Sequence, residues 1–437
     1  MIILIRNDKL NKKNIIEFIR FIFFLLLLLL IITSSILITY NVMNLKTYSY
    51  WLEGFGIVGL VIYIVDKIKN CKFNKYEIFI FILMVLSSLS LFTAMNLQIA
   101  LFGKINRYEG LFVILTYYII MLNGIHVKNK KYINIIVCFI LFFYLLNIIY
   151  GLFQVKLIPR PSFIKIVNSW KYARGFFGNS MFYGSLSTIC YPITLMLFLN
   201  SKSLGKKMLM FLILILSSLG VVISGAMSVY VTCGFIYLFL LAKWIYELVK
   251  KKKNFKFLFS WLLALVIFIA SLLFFVSQNK YLKKDFVELG NESQQIMNGN
   301  IQSNFGTGRI YIWKNTMNKI LENKGLGVGI DNFAIAFKGK LIDTKSGLMV
   351  DKAHNDYLQK MLCEGVLAGI CYFGFLLFIF LEGLSFDYSS RYYGLYLSFI
   401  AYCVHIFFGI SVTRVAPIFF IVLGLLISNL KEKNKNM

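Results

Sequence analysis

Histidine and acidic residues are scarce in this chain, and its cysteines form no recognisable motif. Only three histidines and 19 Asp and Glu residues occur among 437 residues. The seven cysteines are scattered, mostly within apolar runs, without a CxxC pair or another spacing typical of metal ligands. The sequence therefore predicts neither a disulfide framework nor a zinc site, and we expect no metal and no cofactor.

Long apolar runs dominate the rest of the chain. Hydrophobic residues make up 59% of it, which is more apolar surface than a soluble domain of this size can bury. Many runs reach the roughly 20 residues that span a bilayer. The pattern predicts an all-α polytopic membrane protein with about 12 transmembrane helices and one large extracytoplasmic loop between the ninth and tenth.

These runs divide the chain into three predicted parts. Residues 1–278 form a membrane domain with the first nine spans, and residues 279–362 form the extracytoplasmic loop with short amphipathic helices. Residues 363–437 hold the last three spans and a cytoplasmic tail. The first apolar run, residues 21–38, is too long for a signal-peptide core and is predicted to be a retained span. Residues 280–305 are polar with little apolar periodicity, which predicts a mobile flap.

The location of the chain in a membrane accounts for its positive charge. A formal net charge of +27 would suit nucleic acid, but the cations lie in short clusters between apolar runs. Clusters of this kind are typical of cytoplasmic loops, and they fit a chain with both termini in the cytoplasm. We therefore expect a lipid bilayer and anionic lipid or phosphate as partners, and no nucleic acid.

A few cations break this bias. Arg107, Arg160, Lys171 and Arg174 fall in predicted outer loops, where positive charge is disfavoured. Cations kept there indicate an anionic ligand, although a solvated loop or a lipid headgroup would explain each residue taken singly.

Residues 352–359, at the end of the long polar segment, are the most informative stretch. His354 is followed by apolar residues at helical spacing that continue into the next predicted span, which predicts that it lies on the first turn of that helix. The helix dipole disfavours imidazolium and attracts anions, so His354 would be a neutral general base beside a phosphate-rich ligand. The alternative is a histidine hydrogen-bonded to loop backbone. Asp351 would cap the helix or orient the imidazole.

A second predicted helix begins near Arg309. Apolar residues at helical spacing follow it, and Trp313 lies one turn later on the same side. The planar guanidinium of Arg309 can bind a phosphate, and the glycines around it allow backbone to approach a ligand closely. The alternative is a surface arginine paired with a carboxylate.

The histidine segment resembles that of the O-antigen ligase and O-antigen polymerase superfamily of integral membrane proteins. The family pattern is a His, then Asn, Ser or Gln, nine residues, and Gly-x-x-Gly. His354, Asn355 and Gly365 fit this pattern, whereas Ala368 stands in place of the second glycine.

Three further segments resemble family motifs on the predicted outer side: residues 103–110, residues 174–179, and Arg309-x-x-x-Trp313 followed by residues 323–329. One departure concerns the short turn after the seventh span, where the family often has Ser-Arg. This chain has Ser224-Gly225 there. The expected phosphate contact is therefore missing, or it is supplied by Arg160, Lys171 or Arg414.

The resemblance implies a GT-C-type glycosyltransferase of the bacterial cytoplasmic membrane. Such an enzyme transfers a glycan from an undecaprenyl-diphosphate carrier to a glycan, lipid or wall acceptor outside the cell, as a ligase or as a polymerase of surface polysaccharide such as capsule. The resemblance implies His354 as the catalytic base. The implied substrate- and diphosphate-binding residues are Arg107, Arg160, Lys171, Arg174, Arg309 and Asn355, and the supporting ones are Trp313, Asp351 and Gly365.

Two other functions stay open at this point. A flippase or transporter for lipid-linked glycans would place charges inside its spans and often shows repeated halves, and no internal repeat is evident here. A peptidoglycan polymerase of the shape–elongation–division type also has a large outer loop, but the histidine-centred motif and the number of spans count against it. No DxD or ExD pair occurs in a short outer loop, which argues against metal-dependent relatives of the same broad fold.

Overall fold

The computed structural model describes residues 2–68, 72–162, 164–167, 171–250, 255–298, 305–306, 308–323, 325–343, 347–388, 390 and 392–435. These residues form α-helices, and the only β-pairing among them is one isolated bridge between Ile342 and Met349. The helices in chain order are α1 (Ile2–Thr39), α2 (Leu45–Lys67), α3 (Lys75–Leu89), α4 (Leu97–Phe102), α5 (Leu111–Gly124), α6 (Lys130–Gln154), α7 (Ser180–Leu199), α8 (Leu204–Ile223), α9 (Met227–Val249), α10 (Phe255–Gln278), α11 (Lys280–Met297), α12 (Arg309–Glu322), α13 (Phe333–Ala336), α14 (Asp356–Cys363), α15 (Val366–Gly383), α16 (Tyr393–Phe407) and α17 (Ala416–Lys435).

Nine helices in this described part of the chain are long and apolar enough to cross a membrane. They are α1 from Asn14 onward, α2, α3, α6, α7, α8, α9, α10 and α15. Three shorter apolar helices are Leu111–Gly124, Tyr393–Phe407 and Ala416–Leu430. The predicted all-α polytopic membrane fold is therefore confirmed, and the number of helices that cross stays a prediction.

The bundle packs around α7, whose apolar stretch is 89% buried by its neighbours. The helices α8 and α16 lie against α7, and α5 lies between α2 and α17. A Cβ added at Gly124 of α5 would come within 2.9 Å of the Gly424 Cα of α17, so the missing side chains allow these two helices to touch. This packing brings the starts of α5, α7 and α17 to the end of the bundle that carries the polar segment.

The segment predicted to be a mobile flap contains a helix, α11, so that prediction is wrong for residues 280–297. The Tyr172 hydroxyl donates to Asp285 of α11, and the Phe286 ring stacks on Tyr230 with centroids 6.0 Å apart. Both partners lie far from α11 in sequence. The sequence does carry a signal for this helix, because Leu282, Phe286 and Leu289 lie at helical spacing, but its partners could not be read from it.

The helix after His354 does not continue into the next span, contrary to the sequence prediction. It ends at Cys363, and Gly365 then adopts φ +99° before α15 begins. The turn at residues 325–328 packs into this break, because the Val328 N–H donates to the Leu362 carbonyl at 3.0 Å. A Cβ at Gly365 would lie 2.6 Å from the Gly325 carbonyl oxygen, so this position requires glycine.

We predict that Gly365→Ala lowers the thermal stability of the protein in detergent. The left-handed backbone alone costs an L-residue about 1–3 kcal/mol, and the clash with Gly325 adds to it. The matched control is Gly374→Ala in α15, where an added Cβ meets nothing within 4 Å. Equal unfolding temperatures of the two variants would contradict the requirement for glycine at residue 365.

Candidate active site

His354 lies just outside α14, in a strained backbone conformation. Asn355 is the N-cap of the helix, and its side-chain oxygen accepts from the Tyr357 and Leu358 N–H groups at 3.0 and 3.1 Å. The prediction that His354 occupies the first helical turn is therefore wrong by two residues. His354 has φ +50°, a left-handed conformation that is rare for a residue with a Cβ and that is enriched at functional sites.

Contacts on both sides hold His354 in this conformation. The Asp351 carboxylate accepts from the Arg107 Nε at 2.7 Å, and the Ala353 N–H donates to the Gln359 side-chain oxygen at 2.9 Å. After the histidine, Asp356 accepts from the Ser411 N–H at 3.2 Å. The strain is thus offset by partners from the loop before α5, from α14 and from the segment between α16 and α17.

A buried ionic group, which we call the lysine triad, lies under this segment and consists of Lys352, Glu109 and Asp331. Each of the three is 4% exposed. Lys352 Nζ bonds to the Glu109 carboxylate and lies 3.7 Å from Asp331 Oδ1. Tyr117 and Ser411 donate to the other Glu109 oxygen at 3.0 and 2.8 Å.

The electrostatics of the lysine triad follow from its burial and pairing. Burial by itself would lower the pKa of Lys352, but the charges of Glu109 and Asp331 outweigh it and raise that pKa. Burial raises the pKa of Asp331 to about 6, although Lys352 works against this shift. The ammonium of Lys352 is therefore fixed in its charged form beneath His354.

The imidazole of His354 is held neutral by its surroundings. Burial lowers the pKa of His354, the nearby Arg309 guanidinium lowers it further, and the Asp351 carboxylate opposes them in part. Among the residues that the structure describes, none hydrogen-bonds to the ring. The alternative, in which the histidine ring hydrogen-bonds to loop backbone, therefore does not hold for the described backbone. Burial and Arg309 are thus the two largest contributions that lower the pKa of His354.

Arg309 is a half-buried cation with few partners among the described residues. Within that part of the chain its Nε is buried without a hydrogen bond, and its Nη1 donates a long, 3.4 Å bond to the Gly306 carbonyl. Burial lowers the pKa of Arg309, and Asp343 partly offsets this. A guanidinium removed from water and left under-bonded is well suited to receive an anion, because a charged acceptor would restore its lost solvation.

Trp313 places Arg309 relative to the membrane helices. Arg309 is the first residue of α12, after Gly308 with φ +78°, and Trp313 follows one turn later. The indole contacts the rings of Phe407 and Phe408 at the end of α16, with centroids 5.4 and 6.2 Å apart. Trp313 therefore fixes α12 against α16, and its supporting role in the site stays a prediction.

A second cationic group, the arginine cavity, lies beside the start of α7. The cavity has a volume of about 170 Å³, and Arg174, Arg414 and Gln154 are among its lining residues. Arg174 Nη1 donates to the Gly178 carbonyl at 3.2 Å, and Arg414 Nη1 donates to the Phe176 carbonyl at 3.0 Å. Burial lowers the pKa of Arg414 to about 10, so it stays cationic at neutral pH.

One segment of chain connects the arginine cavity to the histidine. The Thr413 hydroxyl donates to the Arg107 carbonyl at 2.7 Å, next to Arg414. The Arg107 guanidinium itself lies 5.8 Å from the ring centre of Phe182 in α7, while its Nε binds Asp351. Arg107 thus lies between the arginine cavity and His354.

The structure brings some of the predicted site residues together and leaves others apart. His354, Asp351, Arg107, Arg309 and Asn355 share one region, and Asn355 acts there as a helix cap. Arg160 is exposed on its loop. Lys171 lies 4.2 Å over the ring of Tyr281 at the start of α11, and no described contact joins either residue to His354.

The sequence analysis missed Glu109 and Lys352 as site residues. Both stood within the segments already singled out, and Lys352 is two residues from the histidine. The sequence did offer one signal: in a chain with few acidic residues, Glu109 stands inside one motif segment and Lys352 stands next to the histidine of another. Only the fold shows that these two are partners across 243 residues of sequence.

Residues 212–373 match the family model described as O-antigen ligase. The matched region contains Arg309, Trp313, His354 and Gly365, and it confirms the predicted family resemblance. Arg107, Arg174 and Arg414 lie outside it. No curated protein matches the chain.

We predict that Lys352→Met destabilises the protein and removes its activity. Glu109 and Asp331 would remain buried without their cation, and breaking a buried ion pair from one side costs about 3–5 kcal/mol. The measurement is thermal unfolding of the purified protein in detergent, with Lys314→Met, an exposed lysine of α12, as the control.

A double variant separates pairing from packing. Adding Glu109→Gln to Lys352→Met removes one of the stranded carboxylates, so the double variant should unfold at a higher temperature than Lys352→Met alone. An unfolding temperature equal to or below that of Lys352→Met would show that the charge of Glu109 is not what Lys352 balances.

Proposed function

We propose that this protein, which carries an O-antigen ligase domain, transfers a glycan from an undecaprenyl-diphosphate carrier to an acceptor hydroxyl on the outer face of the cytoplasmic membrane. The domain match supports a membrane function of the O-antigen ligase or polymerase type. The carrier, the outer face and the residue roles below are parts of the proposal. It covers both a ligase and a polymerase, and it requires neither metal nor cofactor.

The observation that carries the proposal is a neutral imidazole beside an under-bonded guanidinium. His354 has a lowered pKa and no described hydrogen bond, and Arg309 has a buried Nε without a partner. Glycosyl transfer from a lipid diphosphate needs a base that accepts a proton at neutral pH and a cation that can bind the departing diphosphate.

The reaction assigns one role to each group. His354 accepts the proton of the acceptor hydroxyl as the oxygen attacks the anomeric carbon of the first donor sugar. A new carbon–oxygen bond forms there, and the bond from the anomeric carbon to the diphosphate oxygen breaks. The carrier diphosphate leaves with that electron pair, and the proton stays on the imidazole until water removes it.

Charge develops on the diphosphate during this step, and cations must stabilise it. Among these cations, Arg309 lowers the pKa of His354 more than Arg107 does. Arg174 and Arg414 in the arginine cavity supply two further guanidinium groups on the other side of Arg107. We propose that Arg414 provides the contact that Gly225 cannot, since the chain lacks the arginine that the family often has after the seventh span.

We predict that His354→Ala abolishes glycan transfer, while membrane insertion and protein level stay normal. Removing a general base typically costs 10²–10⁴-fold in rate. His126→Gln is the control, because His126 pairs with Glu77 at 2.8 Å and glutamine can keep that bond. The assay is transfer of carrier-linked glycan by purified protein, and turnover of His354→Ala within a factor of two of the wild type would remove His354 as the base.

A pH profile tests the environment of the same residue. The lowered pKa of His354 keeps it mostly deprotonated at pH 7, so the acid limb of kcat/KM should have its midpoint below pH 6.5, the ordinary pKa of a histidine, and fall tenfold per pH unit on its acid side. Arg309→Gln removes a cation that lowers this pKa and should move the acid limb to higher pH. Arg309→Gln should also raise the donor KM, and Arg309→Lys should restore it only in part. An unshifted acid limb in Arg309→Gln would show that Arg309 does not act on the base.

A further inference from the structure

A second cleft lies on the far side of the loop that carries Arg107. It has a volume of about 620 Å³ and lies between the start of α2, the helix α4 and residues 103–108. We call it the outer cleft. Its lining residues are Lys46, Tyr50, Asn96, Gln98, Ile99, Phe102, Gly103, Lys104, Ile105 and Tyr108. A volume of this size accommodates a saccharide of one to a few units.

The outer cleft carries positive charge that no described carboxylate pairs at close range, although Lys104 also helps to lower the pKa of Asp351 from further away. Neither Lys46 nor Lys104 has a carboxylate within 4 Å among the residues that the structure describes, and Lys46 lies 5.7 Å over the ring of Tyr50. Two unpaired ammonium groups facing one cleft favour an anionic ligand.

The other lining groups are those that bind sugars. Tyr50, Phe102 and Tyr108 present ring faces or edges, and the exposed amide of Gln98 offers both a donor and an acceptor. Aromatic rings with a few polar groups are typical of a site that binds the apolar face and the hydroxyls of a sugar. The cleft therefore suits a saccharide that carries an acidic group.

The wall of the outer cleft is tied directly to the segment of His354. The Lys104 N–H donates to Asp331 Oδ2 at 2.6 Å, within the lysine triad, and the Arg107 side chain binds Asp351. The loop is itself tightly wound, with φ values of +86° at Gly103 and +49° at Tyr108. A Cβ at Gly103 would lie 2.2 Å from the Glu109 nitrogen, so the close approach of the two ends of this loop requires glycine there.

Two separate cavities thus flank Arg107, and glycosyl transfer needs two substrates. The arginine cavity and Arg309 suit the donor diphosphate. We infer, building on the function proposed above, that the outer cleft binds the acceptor saccharide and that Lys46 and Lys104 select an acceptor bearing an anionic group close to its hydroxyls. The acidic group is either a sugar carboxylate or a phosphate at the reducing end of the glycan.

The experiment varies the acceptor while the donor is kept constant. Purified full-length protein in nanodiscs receives carrier-linked glycan as the donor and a water-soluble acceptor prepared from the same glycan, cleaved to leave a phosphate on its reducing end. Lys46→Gln and Lys104→Gln should each raise the acceptor KM about tenfold, and the donor KM should not change. Lys46→Arg should stay close to the wild type, as should Lys314→Gln in α12.

Two further acceptors distinguish the sources of the negative charge. In the first the reducing-end phosphate is removed, and in the second the phosphate is kept while sugar carboxylates are reduced to alcohols. For the wild type, the KM of the acceptor that lacks the recognised group should be about as high as the KM of the complete acceptor for Lys104→Gln. With that acceptor, the lysine variants should not raise the KM further.

The outcomes separate this inference from the proposed function. If the lysine variants leave the acceptor KM unchanged or raise the donor KM equally, or if they weaken all three acceptors alike, the outer cleft is not an anionic acceptor site. In that case His354→Ala would still abolish transfer. If His354→Ala and Arg309→Gln retain full activity, the proposed function itself fails, whatever the lysine variants do.

Discussion

The ion pair between Lys352 and Glu109 is the contact on which the rest of the candidate site depends. It is almost fully buried, and it joins the loop before α5 to the segment before α14. Burying two charges costs several kcal/mol per ion unless their geometry and additional hydrogen bonds offset it. Here Tyr117, Ser411 and Asp331 provide these additional partners. The pair can therefore fix the backbone at His354 in a conformation that an isolated chain would avoid.

The cations around this pair differ in their burial and in the number of their partners. The charge of the buried Lys352 is paired with two carboxylates, and this pairing supports the backbone. Arg309, in contrast, has few described partners and lowers the pKa of the His354 imidazole. Arg107 lies between these extremes, with its Nε on Asp351 and its guanidinium near the ring of Phe182. A cationic side chain can therefore hold a loop in place or lower the pKa of a neighbouring imidazole, and its partners decide which of the two it does.

The sequence predicted the features that depend on composition and local pattern. The apolar runs predicted a polytopic helical membrane protein, and the motif segments indicated His354, Arg309 and Arg107, which the fold brings close to one another. What the sequence could not reveal depends on distant contacts. The packing of α11 against Tyr172 and Tyr230 is one such contact. The helix α14 begins at Asp356, two residues after the predicted start at His354, with Asn355 as its cap. The partnership of Glu109 with Lys352 is likewise a property of the folded bundle.

The ties around His354 also have a consequence for biosynthesis. Glu109 precedes α5, whereas Ser411, which donates both to Glu109 and to Asp356, is 302 residues later and precedes the last helix. A nascent chain therefore lacks the Ser411 bonds to Glu109 and Asp356 until the segment between α16 and α17 has been synthesised. Arg414 follows Ser411 in the chain, so the arginine cavity and the Ser411 bonds to Glu109 and Asp356 are completed at the same stage of synthesis.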